Sequence, residues 1–212
     1  MYVPAHFKQE SIPILHEAIR RSGFGTLVTM GESGLEASHI PMLIDPSPEP
    51  FGTLHGHIAR ANFQWRRATT SVQALAMFLG PNAYITPSWY ATKHQTGKVV
   101  PTWNYVAVHA HGTIAFFDDP SDLRTMVTKL TEVHEAARSM PWEVDDAPAE
   151  YIDSMLKGIV GFKLSITRLE GAWKLSQNRP ADDVAGVREG LRSESGNARH
   201  DIAALMADEE IR

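Results

Sequence analysis

Short segments rich in apolar, β-branched and aromatic residues recur between residues 24 and 117, and this pattern limits the fold more than any other feature. Turn signals separate the segments, and short strands arranged in this way are typical of a barrel or a sandwich. The predicted strands cover 24–30, 35–44, 52–58, 72–80, 83–86 and 105–117, and 159–169 with 171–175 are predicted to form a final hairpin.

Helix signals lie around this strand-rich half. Ser11 can cap a helix over residues 12–22 that ends at Gly23, and Asp119 can cap a second helix. Apolar residues at helical spacing predict its core-facing stripe: Leu123, Met126, Val127, Leu130 and Val133. A third helix is predicted at 149–157 and a short one within 197–211. We assign residues 1–187 to one α+β, mainly β domain and residues 188–212 to a polar C-terminal tail.

Composition excludes several classes of function. The 212 residues carry a formal net charge of −5, which argues against direct DNA binding because such proteins usually present a basic surface. The chain has no cysteine, which rules out disulfides, iron–sulfur clusters and thiolate zinc sites. The N-terminus shows no signal peptide, and no stretch approaches the roughly 20 apolar residues that a membrane helix needs. The sequence therefore predicts a cytoplasmic protein with no membrane contact.

Two segments are too rich in polar residues to serve only packing. Ser38 and His39 lie on opposite faces of one predicted strand, next to Pro41. In the segment 56–65 a strand passes into a short helix, where free N–H groups and the Arg60 guanidinium can hold a phosphate. The alternatives are an edge strand with a surface histidine and an ordinary turn with a solvated arginine.

Aromatic residues are concentrated in a third and a fourth segment. Residues 78–90 and 100–105 place several of them around one loop: Tyr84, Trp89, Tyr90, Trp103 and Tyr105. Aromatic faces can stack on a planar cofactor, although the same residues are also enriched at dimer interfaces. In the fifth segment, 174–179, two cations and two amides can bind a phosphate or the polar edge of a ring, or can simply be solvated.

Two histidine pairs are candidate metal ligands. His55 and His57 are two residues apart, as are His109 and His111, so each pair shares one face of a strand. No carboxylate or third histidine lies at a matching short spacing, and we therefore predict no metal site. The sequence also lacks a dinucleotide-binding glycine fingerprint and a Gly-x-Ser-x-Gly nucleophile elbow.

Seven blocks in a fixed order resemble the PaiB family of FMN-binding regulatory proteins. The blocks are 1–7, 38–41, 56–62, 80–85, 88–90, 100–105 and 176–179. The resemblance implies a six-stranded antiparallel Greek-key split β-barrel with peripheral helices, a homodimer, and FMN at the subunit interface. It also implies a role as a negative transcriptional regulator. Phe63 stands where proline is expected and Thr86 where serine is common, and neither departure removes a charge.

The resemblance and the residue chemistry together predict an FMN site. Arg60 is expected to bind the phosphate with help from His57 and Lys174, and the ribityl chain is expected near Ser38 and His39. The full set of expected FMN contacts is Ser38, His39, His57, Arg60, Asn62, Trp103, Asn104, Tyr105, Lys174, Gln177, Asn178 and Arg179.

Three functions remain open for such a site. The first is an FMN-binding homodimer with a regulatory or redox-sensing role. The second is an FMN-dependent reductase or oxidase, in which His39, His57 or His94 can donate a proton, although no residue pair marks a catalytic base. The third is a barrel that binds another flat ligand, such as haem or F420.

Overall fold

A single antiparallel sheet organises the chain in the computed structural model, which describes residues 1–31, 34–67 and 72–207. Its strands are β1 (Lys8–Gln9), β2 (Phe24–Gly31), β3 (Gly34–Asp45), β4 (Thr53–Ala59), β5 (Val72–Ile85), β6 (Thr102–Phe117) and β7 (Ile159–Lys174). The strand order is β1-β7-β4-β3-β2-β5-β6, and an additional β6–β7 pairing closes a ring of six strands. The four consecutive strands β2 to β5 lie in the spatial order β5-β2-β3-β4, so the last of them, β5, pairs with the first, β2. This is Greek-key topology. The predicted split-barrel class is confirmed.

Seven helices accompany the sheet in the described part of the chain. They are α1 (Ile12–Ser22), α2 (Gln64–Arg67), α3 (Ala91–Thr96), α4 (Pro120–Glu135), α5 (Ala149–Leu156), α6 (Ala181–Ser193) and α7 (Asn197–Leu205). Asp119 caps α4 as predicted, because its carboxylate accepts hydrogen bonds from the backbone N–H groups of Ser121 and Asp122 at 2.9 and 3.1 Å. Gly23 ends α1 with a φ of 59°.

Two predicted strand breaks are wrong. The segments 72–80 and 83–86 form the one strand β5, and the expected hairpin over 159–175 is the single strand β7. The predicted hairpin placed a turn before Gly171, but Gly171 lies within the continuous strand β7. A Cβ atom there would lie 2.3 Å from the Leu15 side chain and 2.8 Å from the Trp173 ring, so glycine permits close packing within a continuous strand.

The helical stripe of α4 is confirmed in part. Leu123, Met126 and Leu130 are buried and Val127 packs against them, whereas Val133 is 57% exposed and does not belong to the core. Helix α6 was not predicted, and it spans the expected boundary at residue 187. Val187 and Leu191 are fully buried, as is Ile202 in α7, so apolar side chains anchor this polar-looking segment. The predicted turn at residues 31–34 lies partly outside the described residues.

The chain divides into two compact units. We call residues 1–15, 79–108 and 170–212 unit 1, and residues 16–78 and 109–169 unit 2. Unit 1 contains the aromatic segments with α3, α6 and α7. Unit 2 contains β2 to β4 with α4 and α5, and Leu123, Met126, Val144, Ile152 and Leu156 form a core cluster in it. None of the helices in the described part of the chain is long and apolar enough to cross a membrane.

Candidate functional site

Ser38 and Asn62, two of the expected FMN contacts, are hydrogen-bonded to each other in unit 2. The Asn62 amide donates to the Ser38 hydroxyl at 2.8 Å, and that hydroxyl donates to the Gln64 carbonyl oxygen Oε1 at 2.6 Å. The Asn62 oxygen accepts from the backbone N–H of Gln64 at 3.0 Å. The three side chains therefore hold the start of α2 against β3.

Gln64 fixes this network, and it was not among the predicted site residues. Its side chain is 2% exposed, and its Nε2 donates to the Thr29 hydroxyl at 3.0 Å and to the carbonyl oxygens of Leu27 and Glu36 at 3.3 Å each. Three acceptors on two strands thus use one amide group. In the sequence, only its position directly after Asn62 and Phe63 pointed to Gln64 as a site residue. That position does not distinguish a buried glutamine from a solvated one.

An open hollow adjoins the network. Its volume is about 470 Å³, and Ser38, Asn62, Phe63 and Gln64 contribute to its wall. His39 is exposed on the other face of β3, as predicted, and its Nδ1 lies 2.9 Å from the Thr26 hydroxyl. Ser38 and His39 therefore point to opposite faces, so one bound molecule cannot contact both through the same side of the strand.

Arg60 makes several contacts with protein acceptors. Its guanidinium donates to the carbonyl oxygens of Lys157 and Ile159 at 2.8 and 3.1 Å and forms an ion pair with Asp118 at 3.2 Å. The guanidinium carbon lies 5.9 Å from the centre of the Trp65 ring. A phosphate at Arg60, as the sequence predicts, would have to share these donors or displace an acceptor.

His57 is half-buried on β4. Burial lowers the pKa of its imidazole below the ordinary value of 6.5, which favours the neutral ring at neutral pH. Its Nδ1 is buried and has no hydrogen-bond partner in the described part of the chain. A neutral imidazole can donate one hydrogen bond to a phosphate, but it contributes no charge.

Lys174 and Arg179 are the cations of unit 1 that were predicted to bind FMN. Neither forms an ion pair with a carboxylate among the described residues. Lys174 donates from Nζ to the Thr102 hydroxyl at 2.5 Å, and the Arg179 guanidinium lies 4.7 Å from the centre of the Tyr90 ring. Burial, and then the positive charge of Arg179, lower the pKa of Lys174. Two neighbouring cations that repel each other are a favourable place for an anion.

Aromatic side chains form an exposed surface in unit 1. The rings of Tyr84 and Trp103 meet edge to face with their centres 6.0 Å apart, and their exposed fractions are 46% and 53%. Tyr105 is half-buried two residues further along β6, on the same face as Trp103. This surface can stack on a planar ring or cover a second subunit.

Three of the predicted ring contacts differ in how far they can reach a ligand. Asn104 is fully buried and its amide donates to the Ser176 hydroxyl at 3.0 Å, so it joins β6 to the segment after β7. The Gln177 amide closes a turn by donating to the Trp173 carbonyl oxygen at 2.5 Å and accepting from the Leu175 N–H at 2.7 Å. Asn178 is exposed and available to a ligand.

A second set of buried polar groups was missed from the sequence. Asp183 is 1% exposed in the first turn of α6, and one of its oxygens accepts from the Thr92 N–H at 2.9 Å. Its Oδ2 atom and the Tyr90 hydroxyl are buried without a hydrogen-bond partner in the described residues. The Arg179 guanidinium faces the same Tyr90 ring, so Asp183 and Arg179 both lie near Tyr90.

The chain matches a known protein family and several curated proteins. Residues 1–168 match a family described as "Putative FMN-binding domain". The chain is 35% identical over 208 residues to the Bacillus subtilis "Protease synthase and sporulation protein PAI 2", covering 98% of this chain and 97% of that protein. It is 34% identical over 244 residues to an uncharacterized protein of Emericella nidulans, with the same two coverages.

Solved structures share the fold at low sequence identity. A protein from Mycobacterium smegmatis that binds FAD and heme superposes with a TM-score of 0.59 at 14% identity, over 84% of this chain and 78% of that one. The flavocytochrome Anf3 from Azotobacter vinelandii superposes with a TM-score of 0.57 at 9% identity, over 87% of this chain and 78% of that one. These likenesses concern the fold.

Proposed function

Because the chain belongs to this family of FMN-binding domains, and FMN is therefore its cofactor, we propose that it works as a homodimer with a regulatory role, as a negative transcriptional regulator or a redox sensor. The match over residues 1–168 carries the FMN-binding part of this proposal, and the regulatory part is an extension from the Bacillus subtilis relative. The name of the Bacillus subtilis relative links that protein to protease synthesis and sporulation, and we extend this link to the present chain.

The residues of unit 1 fit the chemistry of FMN. Lys174 and Arg179 have no carboxylate partner in the described residues, and their mutual repulsion falls when an anion lies between them. We propose that these two side chains, rather than Arg60, hold the phosphate or the negatively polarised edge of the flavin. Bound FMN supplies electron-transfer chemistry that side chains lack, and the protein orients it and limits the access of water.

The exposed aromatic surface supports the proposed dimer. Leu79, Tyr84, Val100 and Trp103 are each between 46% and 65% exposed, all in unit 1. Tyr84 and Trp103 contact each other, and exposed large apolar side chains in contact with one another can mark an interaction site. We propose that this surface meets a second subunit. Light scattering after size exclusion should then give twice the chain mass, and Trp103→Ser should shift it toward the monomer.

The FMN contacts can be separated by titration. Lys174→Gln and Arg179→Gln should each weaken FMN binding by about ten- to one-hundredfold, since a hydrogen bond between charged groups is worth roughly 1.5–3 kcal/mol. Lys98→Gln, which changes an exposed lysine of the same unit, should leave the affinity unchanged. If Arg60→Gln alone lowers the affinity, the phosphate lies at Arg60 and the assignment to unit 1 is wrong.

An FMN-dependent reductase or oxidase is the second candidate. The exposed ring of His39 favours it, because Thr26 lies against Nδ1 and Nε2 is left to donate a proton to a substrate. Anaerobic mixing with NADH or NADPH distinguishes the two functions. Bleaching of the flavin at a turnover-like rate supports the enzyme, and no bleaching supports the regulator.

Regulation does not require direct contact with DNA. The formal net charge of −5 opposes binding to phosphate backbones, so we expect weak or no binding in a gel shift at physiological salt. A salt-dependent shift at nanomolar protein would contradict this expectation. The absorption spectrum of the purified protein identifies the bound chromophore and separates FMN from haem or F420.

A further inference from the structure

A cavity of about 390 Å³ lies in unit 2, between the outer face of the sheet and helix α4. None of its lining residues is among the expected FMN contacts. Its volume falls within the range of about 300–1,000 Å³ that is usual for small-molecule sites. The cavity is therefore large enough for a small ligand.

Paired residues of three strands line one wall of this cavity. Leu43 on β3 pairs with His55 on β4, and His55 pairs with Lys163 on β7, so the three side chains form one row across the outer face of the sheet. Helix α4 lies opposite and contributes Lys129 and Val133. The exposure of Val133, which the helical pattern did not predict, follows from its place at the cavity wall.

The apolar part of the lining is suited to a flat organic body. Phe117 is half-buried and Met126 is 5% exposed, and Leu43 continues the apolar surface from the sheet. The Lys163 ammonium lies 5.3 Å from the centre of the Phe117 ring, which places a cation over the aromatic face at the cavity edge.

Three polar groups in the lining lack a hydrogen bond or a carboxylate partner in the described part of the chain, although Lys163 lies over the Phe117 ring. Among the described residues, His55 forms no hydrogen bond and Lys129 and Lys163 form no ion pair with a carboxylate. Burial is the main cause of the lowered pKa of His55; Asp45 opposes it, while the charges of Lys163 and Lys129 reinforce it. Both lysines therefore lie close enough to the imidazole for their positive potential to act on it. Two ammonium groups and a neutral imidazole donor together suit one anionic head group.

We propose that this cavity binds a small organic carboxylate with a flat apolar body. The carboxylate lies between Lys129, Lys163 and His55, and the apolar body packs against Phe117 and Met126. Asp45, Asp122 and Glu132 also contribute to the lining and repel anions, so the attraction of the two lysines and the hydrogen bond from His55 have to outweigh them. The proposal is independent of the FMN site, because the two sets of residues do not overlap.

Matched probes test the charge of the ligand. The FMN-loaded protein is titrated calorimetrically with 2-naphthoate, 2-naphthamide and 2-naphthylmethylamine, which share one apolar body and differ in charge. We expect the carboxylate to bind at least about tenfold more tightly than the neutral amide, since the contacts are charge-assisted. Equal affinity for acid and amide would overturn the proposal, and tighter binding of the amine would assign the cavity to cations through its carboxylates.

Lysine variants test the position of the carboxylate. Lys129→Gln and Lys163→Gln change exposed side chains, so the fold should be retained, and each should weaken 2-naphthoate binding about five- to tenfold. Lys157→Gln, an exposed lysine of the same unit outside the cavity, is the matched control and should bind normally. Unchanged affinity in both cavity variants, with the flavin spectrum intact, would refute the assigned position.

Discussion

Replacing Gln64 with leucine should lower the free energy of unfolding by about 2–4 kcal/mol. Leucine is similar in size and suits a buried position, so the loss comes from polar partners and not from a cavity. The Ser38 hydroxyl loses its acceptor at 2.6 Å, which costs about 1 kcal/mol. Thr29 is 2% exposed and its hydroxyl loses the Gln64 amide that donates to it at 3.0 Å, and an unsatisfied buried group costs about 1–3 kcal/mol.

The measurement is urea unfolding of the FMN-free protein, followed by tryptophan fluorescence. FMN must be absent because a bound ligand adds its own stabilisation to the folded state. Gln95→Leu is the matched control, since Gln95 is exposed on α3 and should change the free energy of unfolding by less than about 0.5 kcal/mol. A double-mutant cycle with Ser38→Ala should give a coupling energy of about 1 kcal/mol.

Equal urea midpoints and equal slopes for Gln64→Leu and Gln95→Leu would refute the predicted loss of stability. Such a result would mean that water replaces the Gln64 amide at Ser38 and Thr29, and that the start of α2 does not depend on the network. A coupling energy near zero with a large single-variant effect would instead locate the loss at Thr29 and the strand carbonyl oxygens.

Three further predictions concern stability. Because burial lowers the pKa of His57 in the folded state, the unfolded chain takes up a proton first as the pH falls below 6.5, and stability should decline toward the folded pKa by at most about 1.4 kcal/mol per pH unit. His57→Gln should reduce the dependence of the urea midpoint on pH between 5 and 7 without removing it, because the lowered pKa of His55 acts in the same direction. Asn104→Ala should cost about 1–3 kcal/mol in chemical unfolding, whereas the exposed Asn178→Ala should be neutral. Gly190→Ala should lower the melting temperature although alanine favours helices, because its Cβ would lie 2.3 Å from the Trp89 ring; a rise would contradict this packing.

Local signals predicted the elements whose causes are local. The α4 cap at Asp119 and the end of α1 at Gly23 depend on residues within one turn of each other, so the sequence alone was sufficient. The alternating exposure along β3 likewise placed Ser38 and His39 on opposite faces. The strand pattern left a barrel or a sandwich open, and the resemblance to the PaiB family selected the split barrel.

Features that depend on residues far apart in the sequence could not be predicted from local signals. Gly171 looked like a turn because the side chain of Leu15, which needs its space, lies far away in the sequence. The hydrogen bond from the Asn104 amide to Ser176 could not be foreseen either, because Ser176 is 72 residues further along the chain. Helix α6 was missed because its polar composition hides Val187, whose burial depends on tertiary packing.

Arg60 and Arg179 show why residue chemistry alone cannot assign a cofactor contact. Both lie in blocks that the family shares, and both carry the same five donors in the same planar fork. Two carbonyl oxygens and the Asp118 carboxylate already accept from Arg60, whereas Arg179 rests on an aromatic ring and repels a neighbouring lysine. Binding an anion at Arg60 is less favourable because the anion must replace existing hydrogen bonds. Binding at Arg179 is more favourable because the anion relieves the repulsion between Arg179 and Lys174. The distribution of acceptors around a cation, and not the cation itself, therefore decides where the charge of FMN is expected.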